Sequence, residues 1–237
     1  MTSVSALPKS FDAFLRAGAD SFDGWVTRRQ AALLGFCIAA VVIGAGSYGA
    51  VMGCWRSPLQ ALYTGIKLPL VILLTTLGNG LLNGMLAPLL GLNVSFRQSL
   101  AAVLVSFAIA AIVLGALSPV AWFIVWNTPP LTAGTKLTSP EYGFLQLTLA
   151  GFVALAGVIG NVRLLPLLRR WAGNAATARN VLLAWLAGNL FLGSQICWVL
   201  RPFLWDAQRP VEFIGPDYSH GNFFETVFQA VGRLIFS

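Results

Sequence analysis

The segment QSLAAVLVSFAIAAIVLGALSPVAWFIVW, residues 98–126, decides the fold because it is long, apolar and free of charged residues. About 20 helical residues are enough to cross the roughly 30 Å hydrocarbon core of a bilayer. The segment can therefore span a membrane as one helix. Pro119 and the turn-forming run at 127–130 interrupt the wider charge-free stretch, so it holds one span followed by a loop. Its apolar residues do not alternate with polar ones, which excludes a transmembrane β-barrel.

Four other stretches are also free of charge and long enough to span: residues 31–55, 68–96, 142–162 and 180–200. Together they predict an all-α, polytopic transmembrane helix bundle. The five predicted spans cover about residues 31–53, 67–90, 98–126, 141–165 and 180–203. We predict a single integral membrane domain over residues 1–237, with a cytoplasmic amphipathic segment (1–29), the five-helix bundle (30–204) and an external tail (205–237).

The composition of the whole chain agrees with a membrane protein. Of its 237 residues, 57% are apolar before glycine is counted and 10% are charged. Soluble domains have about 45–50% apolar residues with glycine included and about 25% charged residues. So few charges cannot cover a water-exposed surface, which excludes soluble enzymes and disordered chains. The net charge of +7 suits anionic lipid headgroups. The basic residues form no single patch interleaved with aromatics, so no nucleic-acid partner is expected.

Basic residues near the span ends predict the orientation of the bundle. Five spans place the N-terminal segment, the second loop and the fourth loop on one side, and that side carries nine of the 15 basic residues: Lys9, Arg16, Arg28, Arg29, Arg97, Arg163, Arg169, Arg170 and Arg179. Basic residues favour the cytoplasmic side. We therefore expect a cytoplasmic N-terminus and an external C-terminus.

Several local patterns predict helix starts and turns. Ser95 and Gln98 form a capping box at the start of the third span. Ser139 followed by Pro140 offers a cap and then a proline at the first helical position of the fourth span. Gly91 predicts a tight turn between the second and third spans.

Three short segments are amphipathic and predict helices at the membrane interface. Phe11, Phe14, Leu15 and Phe22 recur near helical spacing in the N-terminal segment, on the cytoplasmic side. Residues 57–66, flanked by Trp55 and containing Tyr63, predict a second interfacial helix, because tryptophan and tyrosine favour that depth.

The C-terminal segment 222–236 is the third of these. Phe224, Phe228 and Val231 share one face of a helix that is too short to span. An interfacial helix is the main interpretation, and docking onto a partner subunit through these three residues is the alternative.

Small and polar residues inside the spans allow two interpretations. The small residues are Gly49 and Gly53 on the first span and Gly80 and Gly84 on the second. The polar residues are Asn79 and Asn83 on the second span and Asn189, Ser194 and Gln195 on the fifth. Glycines let helices approach closely, and asparagines form hydrogen bonds across such contacts. Helix packing is therefore one interpretation, and a polar path between the first, second and fifth spans is the other.

The positions of the ionisable residues argue against coupled transport and catalysis. No acidic residue or histidine lies in the middle of a span, although proton and ion pathways usually need one there. Arg201 ends the fifth span, as an interfacial anchor or as a partner for lipid phosphate, Glu212 or Asp217. Cys37, Cys54 and Cys197 have no spacing typical of metal sites, and no catalytic motif is present. We expect no metal, no cofactor and no catalytic residues.

Several strings at helix boundaries resemble a group of poorly characterised bacterial polytopic membrane proteins, with a layout similar to the Yip1 superfamily. They are residues 66–70 (IKLPL), 95–98 (SFRQ), 118–120 (SPV), 194–195 (SQ), 201–203 (RPF) and 222–225 (NFFE). The resemblance implies a cytoplasmic N-terminal segment, five helices and a short external C-terminus. It also implies a location in the bacterial cytoplasmic (inner) membrane.

Three functions remain open. The first is a non-catalytic accessory or scaffold subunit that packs against partner membrane proteins or a second copy of itself. The second is a channel or permease component with a polar path near Asn79 and Asn83. The third is a lipid-acting membrane enzyme using Arg201 and His220.

Overall fold

The computed structural model describes residues 10–28, 30–129, 140–201, 211–215 and 224. In this part of the chain the structure is helical, with seven helices in the order α1 (Phe11–Arg16), α2 (Ala19–Arg28), α3 (Gln30–Cys54), α4 (Pro58–Leu89), α5 (Phe96–Asn127), α6 (Pro140–Ala172) and α7 (Ala175–Leu200). Helices α3 to α7 are long and apolar enough to cross a membrane. The predicted transmembrane bundle of five spans is confirmed.

Helix α5 is the centre of the bundle and packs against α3, α4 and α6. Its central part is the most apolar and most buried of the five spans. Alanine is frequent along it, and Ala101, Ala102, Ala108 and Ala111 are fully buried. Small side chains let neighbouring helix backbones come close. At the closest approach, a Cβ atom added at Gly44 of α3 would overlap the Ala111 carbonyl group.

The other spans surround this centre in a fixed order. Extensive contacts join α4 to α5, α5 to α6, α6 to α7 and α7 back to α4, so these four helices form a closed ring. Helix α3 lies outside the ring, in the angle between α4 and α5, and packs tightly against both. The ring therefore has its own interior, separate from the contacts made by α3.

The turn from α4 to α5 follows the local signals of the sequence. Gly91 has a φ of +83°, a left-handed conformation that glycine adopts without strain. At the start of α5, the Ser95 N–H donates to Gln98 Oε1 at 2.9 Å, and the Gln98 N–H donates to Ser95 Oγ at 3.3 Å. The predicted capping box is confirmed.

The separate interfacial helix predicted at 57–66 is wrong, because these residues are the first turns of α4. Ser57 caps the helix by accepting from the Gln60 N–H at 3.1 Å, and Pro58 occupies the first helical turn. The helix then continues through Pro69. A proline inside a transmembrane helix is tolerated where neighbouring helices pack around it. Gly46 and Gly49 of α3 provide such close packing here, against Pro69 and Leu68 respectively.

The fourth loop is also much shorter than predicted. The predicted spans 141–165 and 180–203 left residues 166–179 between them, whereas α6 and α7 are separated by two residues. Helix α6 continues to Ala172, so Arg163, Arg169 and Arg170 lie on a helix and not in a loop. The connection to α7 is only Gly173, with a φ of +69°, and Asn174, whose side chain accepts from the Thr177 N–H at 2.7 Å.

The N-terminal amphipathic segment is helical, as predicted, but its apolar face packs on the protein. Phe14 is fully buried, with its ring centroid 5.3 Å from that of Phe22 and 5.0 Å from that of Phe36 in α3. Asp23 of α2 accepts from Arg170 Nε at 3.2 Å and from Trp171 Nε1 at 2.8 Å. These contacts attach α1 and α2 to the end of α6.

Near the C-terminus, residues 211–215 pack near α4. The predicted helix at 222–236 lies outside the described residues except for Phe224. The Phe224 ring stacks on Phe191 of α7 with a centroid distance of 5.1 Å. Phe228 and Val231 lie outside the described residues.

We expect Gly44→Val to destabilise the bundle, because the new side chain collides with the α5 backbone and not with a flexible side chain. Overpacking of this kind costs about 1–3 kcal/mol or more. The midpoint of thermal unfolding in mild detergent measures it. Gly35→Val is the matched control, since nothing lies within 4 Å of a Cβ atom at Gly35 on the same helix. Equal unfolding midpoints for the two variants would contradict the close contact of α3 with α5.

We expect Asp23→Ala to loosen α2 from the end of α6, because it removes the acceptor of Trp171 and one of the two α2 carboxylates that accept from Arg170, the other being Asp20. Limited proteolysis near Arg28 should become faster. Asp12→Ala is the control, because Asp12 pairs only along its own helix with Arg16 at an exposed position. Proteolysis at the same rate in the wild type and in Asp23→Ala would show that the Asp23 contacts do not hold these helices.

Candidate functional site

One face of α4 carries a row of buried polar side chains. They recur at intervals of three or four residues, or a multiple of four, which places them along one side of the helix. None is more than 7% exposed: Gln60, Thr64, Lys67, Thr75, Asn79 and Asn83. Buried polar groups in a span are costly and are usually hydrogen-bonded or functional. This polar face is therefore the candidate functional site.

The first half of the polar face is turned toward α3. A Cβ atom at Gly53 would lie 2.5 Å from the Gln60 carbonyl oxygen, and one at Gly49 would lie 2.5 Å from that of Thr64. The Gln60 side-chain amide donates to Thr64 Oγ1 at 3.0 Å. The two predicted glycines thus allow the α3 backbone to lie directly on the polar face.

Lys67 lies well inside α4 and is only 1% exposed. Its ammonium group donates to the carbonyl oxygen of Glu212 at 3.3 Å and lies 5.3 Å from the centroid of the Phe213 ring. Phe213 also makes an edge contact with the Tyr63 ring at 5.4 Å. Residues 211–215 are therefore fixed against this part of α4.

The second half of the polar face is turned toward α7. The side-chain amide of Asn79 donates to the Trp185 carbonyl oxygen at 3.2 Å and to Asn189 Oδ1. Gly188 makes this contact possible, because a Cβ atom there would overlap Asn79 Oδ1. Two of the asparagines singled out in the sequence, Asn79 and Asn189, thus join the second and fifth spans directly.

The remaining predicted residues have different surroundings. Gly80 packs on Leu100 and Gly84 on Phe96, so both belong to the contact of α4 with α5. Ser194 and Gln195 are half-buried on α7. The Ser194 hydroxyl donates to the Phe191 carbonyl oxygen at 3.0 Å, within the same helix.

Arg201 ends α7 in a left-handed conformation, with a φ of 43°. Its Nε donates to the Trp198 carbonyl oxygen at 3.2 Å, and its guanidinium carbon lies 4.7 Å from the centroid of the Trp198 ring. Of its proposed acidic partners, Glu212 offers its backbone carbonyl to Lys67, and Asp217 lies outside the described residues. His220 also lies outside them.

Several buried polar atoms of the site have no hydrogen-bond partner in the described part of the chain. On α4 they are Thr75 Oγ1, Asn79 Oδ1 and both side-chain polar atoms of Asn83. Ser99 Oγ of α5 and Trp185 Nε1 of α7 also lack a hydrogen-bond partner among the described residues. Thr76 differs from its neighbour Thr75, because its hydroxyl donates to the Ile72 carbonyl oxygen at 2.7 Å.

Sequence reasoning missed Gln60, Thr64, Lys67, Thr75, Ser99 and Trp185. The first three were missed because Lys67 was taken as the boundary of a span. One signal could have found them: Gln60 and Thr64 lie four residues apart, and Thr64 and Lys67 lie three apart, as on one helix face. No such pattern singles out Trp185.

A metal site in the described residues would need several ligands close together. Cys37, Cys54 and Cys197 are free. Across residues 10–28, 30–129, 140–201, 211–215 and 224, no group of three or more His, Cys, Asp or Glu residues comes together in a way that could hold a metal ion.

No family model, no curated protein and no solved structure matches this chain. The resemblance to Yip1-like proteins stays a prediction. The structure establishes a multi-pass integral membrane protein with a polar face buried inside its helix bundle.

We expect Asn79→Leu to weaken the attachment of α7, because it removes both hydrogen bonds from α4 to that helix. Hydrogen bonds between transmembrane helices contribute about 0.6–2 kcal/mol each. The thermal unfolding midpoint in detergent should fall accordingly. Asn127→Leu is the control, because the Asn127 amide bonds only to the Phe123 carbonyl of its own helix. An unchanged midpoint for Asn79→Leu would show that these bonds contribute nothing.

Proposed function

We propose that this integral membrane protein is a non-catalytic accessory subunit that binds another membrane protein, or a second copy of itself, through one face of α6. The observation that carries the proposal is a set of open glycines on this helix. Among the residues that the structure describes, no atom outside the immediate helix backbone lies within 4 Å of a Cβ atom built at Gly143, Gly151 or Gly157.

The open glycines belong to a stripe of small residues that faces outward. The exposed Ala150 and Ala154 lie between them on the same side of α6. Leu147 and Val158, which are 77% and 60% exposed, lie on the same side of the helix among these small residues. The gaps that the small residues leave between the larger side chains form a shallow apolar groove on this side of the helix.

This groove suits a helix better than it suits lipid. A glycine inside a helix costs about 1 kcal/mol relative to alanine, and no close helix contact among the described residues requires a glycine at these positions. Small residues at transmembrane interfaces let a second backbone approach closely, which is the main source of stability for helix pairs in lipid. A partner helix in the groove would supply the contacts that the glycines lack.

The experiment compares complexes extracted in several mild detergents, by mass measurement and by crosslinking with mass spectrometry. We expect the wild type in a complex larger than the monomer, with crosslinks from α6 to the partner. Gly151→Leu should abolish the complex, because leucine fills the groove. Its matched control is Gly35→Leu, at an open glycine of α3.

Two results would overturn the proposal. One is recovery of the wild type only as a free monomer under all the mild conditions. The other is a complex that survives Gly151→Leu in a correctly folded protein.

A further inference from the structure

The interior of the α4–α5–α6–α7 ring contains a set of polar side chains that the subunit role does not use. We call the set the α4–α7 seam and define it as Thr75, Asn79 and Asn83 of α4, Ser99 of α5 and Trp185 of α7. All five are buried, at no more than 2% exposure. Each carries at least one polar side-chain atom that has no hydrogen-bond partner among the described residues.

The register of the helices places these residues together. Helices α4 and α7 are antiparallel, with Gly193 beside Thr75, and Asn189 bonded to Asn79. One turn further along α4 is Asn83, and one turn back along α7 is Trp185. The two are therefore at the same level.

Ser99 enters the seam from α5. The direction of the Ser99 side chain follows from its neighbours on α5. Leu100 packs on Gly80 of α4, and Ser106 packs on Gly160 of α6. Ser99 lies seven residues before Ser106, and therefore on nearly the same side of α5. A side chain between these two directions points into the ring.

The unpartnered atoms include both donors and acceptors. Asn83 Nδ2 and Trp185 Nε1 donate, Asn79 Oδ1 and Asn83 Oδ1 accept, and the hydroxyls of Thr75 and Ser99 can do either. Buried polar groups in proteins are nearly always hydrogen-bonded. In the hydrocarbon region bulk water cannot satisfy them. A bound molecule that donates and accepts hydrogen bonds would supply the missing partners.

The side chains of the seam also indicate that the bound molecule is uncharged. The seam contains no ionisable side chain, and Lys67, on the same helix, is directed to Glu212 and Phe213. An ion without a countercharge is costly at this depth, and a cation could not accept from the two N–H donors. We propose that the α4–α7 seam binds small uncharged molecules that both donate and accept hydrogen bonds, namely ordered water or a small hydroxyl- or amide-bearing solute. This proposal stands independently of the subunit role.

The test asks whether substitutions in the seam lower or raise the thermal unfolding midpoint of the intact protein. If the seam is occupied, Thr75→Val removes a hydrogen bond to the bound molecule, and the unfolding midpoint should fall by about 3–6 °C. Asn83→Leu should lower it at least as much. If the seam is empty, both variants remove an unpaired polar group, and the midpoint should stay the same or rise.

The matched control is Thr76→Val. Thr76 is also buried and undergoes the same chemical change, but its hydroxyl is bonded within α4. Its midpoint should fall less than that of Thr75→Val, because the Ile72 carbonyl still accepts from a backbone N–H of the same helix. Because Thr75→Val changes one hydroxyl to a methyl group, it keeps the test decisive even if Asn83→Leu fails to fold. A midpoint for Thr75→Val that equals or exceeds that of Thr76→Val overturns the proposal.

If the midpoint of Thr75→Val is lowered, native mass spectrometry of the wild type then identifies the molecule bound in the seam. A small adduct that disappears in Thr75→Val and persists in Thr76→Val assigns a solute. A lowered midpoint with no such adduct assigns ordered water. Both results support an occupied seam.

Discussion

The close contact between α3 and α5 is the interaction on which the rest of the bundle depends. Gly44 lies directly against the Ala111 carbonyl, and a Cβ atom at Gly115 would lie 3.0 Å from the Gly44 Cα atom. Lipid tails are as apolar as leucine, so close packing, and not hydrophobic burial, holds transmembrane helices together. With α3 and α5 this close, α4 fills the angle between them and packs against both.

The path of α4 then follows from helix geometry. Polar positions that recur every four residues advance by about 40° beyond a full turn at each step. From Lys67 to Thr75, Asn79 and Asn83, the polar face therefore turns around the helix axis. It faces α3 near Thr64 and α7 near Asn79, as the two sets of contacts show. The same rotation brings Asn83 between α5 and α7, inside the ring.

The sequence was sufficient to predict the five spans, the capping box at Ser95 and Gln98, and a shared face for Asn79 and Asn83. These features depend on charge-free length and on local spacing. The start of α4 was not predictable from charge, because a charge marks a span boundary only where its side chain reaches water. Lys67 instead contacts the Glu212 carbonyl and the Phe213 ring. That contact joins residues 145 positions apart, and one sequence gives no sign of it.

The open glycines of α6 and the unpartnered polar atoms of the α4–α7 seam share a physical consequence. Each lowers the stability of the isolated chain, since Gly151 gains no packing and Asn83 gains no hydrogen bond. In a chain with no partner helix and no bound molecule, leucine at either position would be the more stabilising choice. Local departures from the most stable choice are expected where a protein binds something. The open glycines lie on the outer face of α6, and the unpartnered polar atoms lie inside the ring. A partner helix can therefore supply contacts to the glycines while a small neutral molecule supplies hydrogen bonds to the polar atoms, and the two do not compete for the same groups.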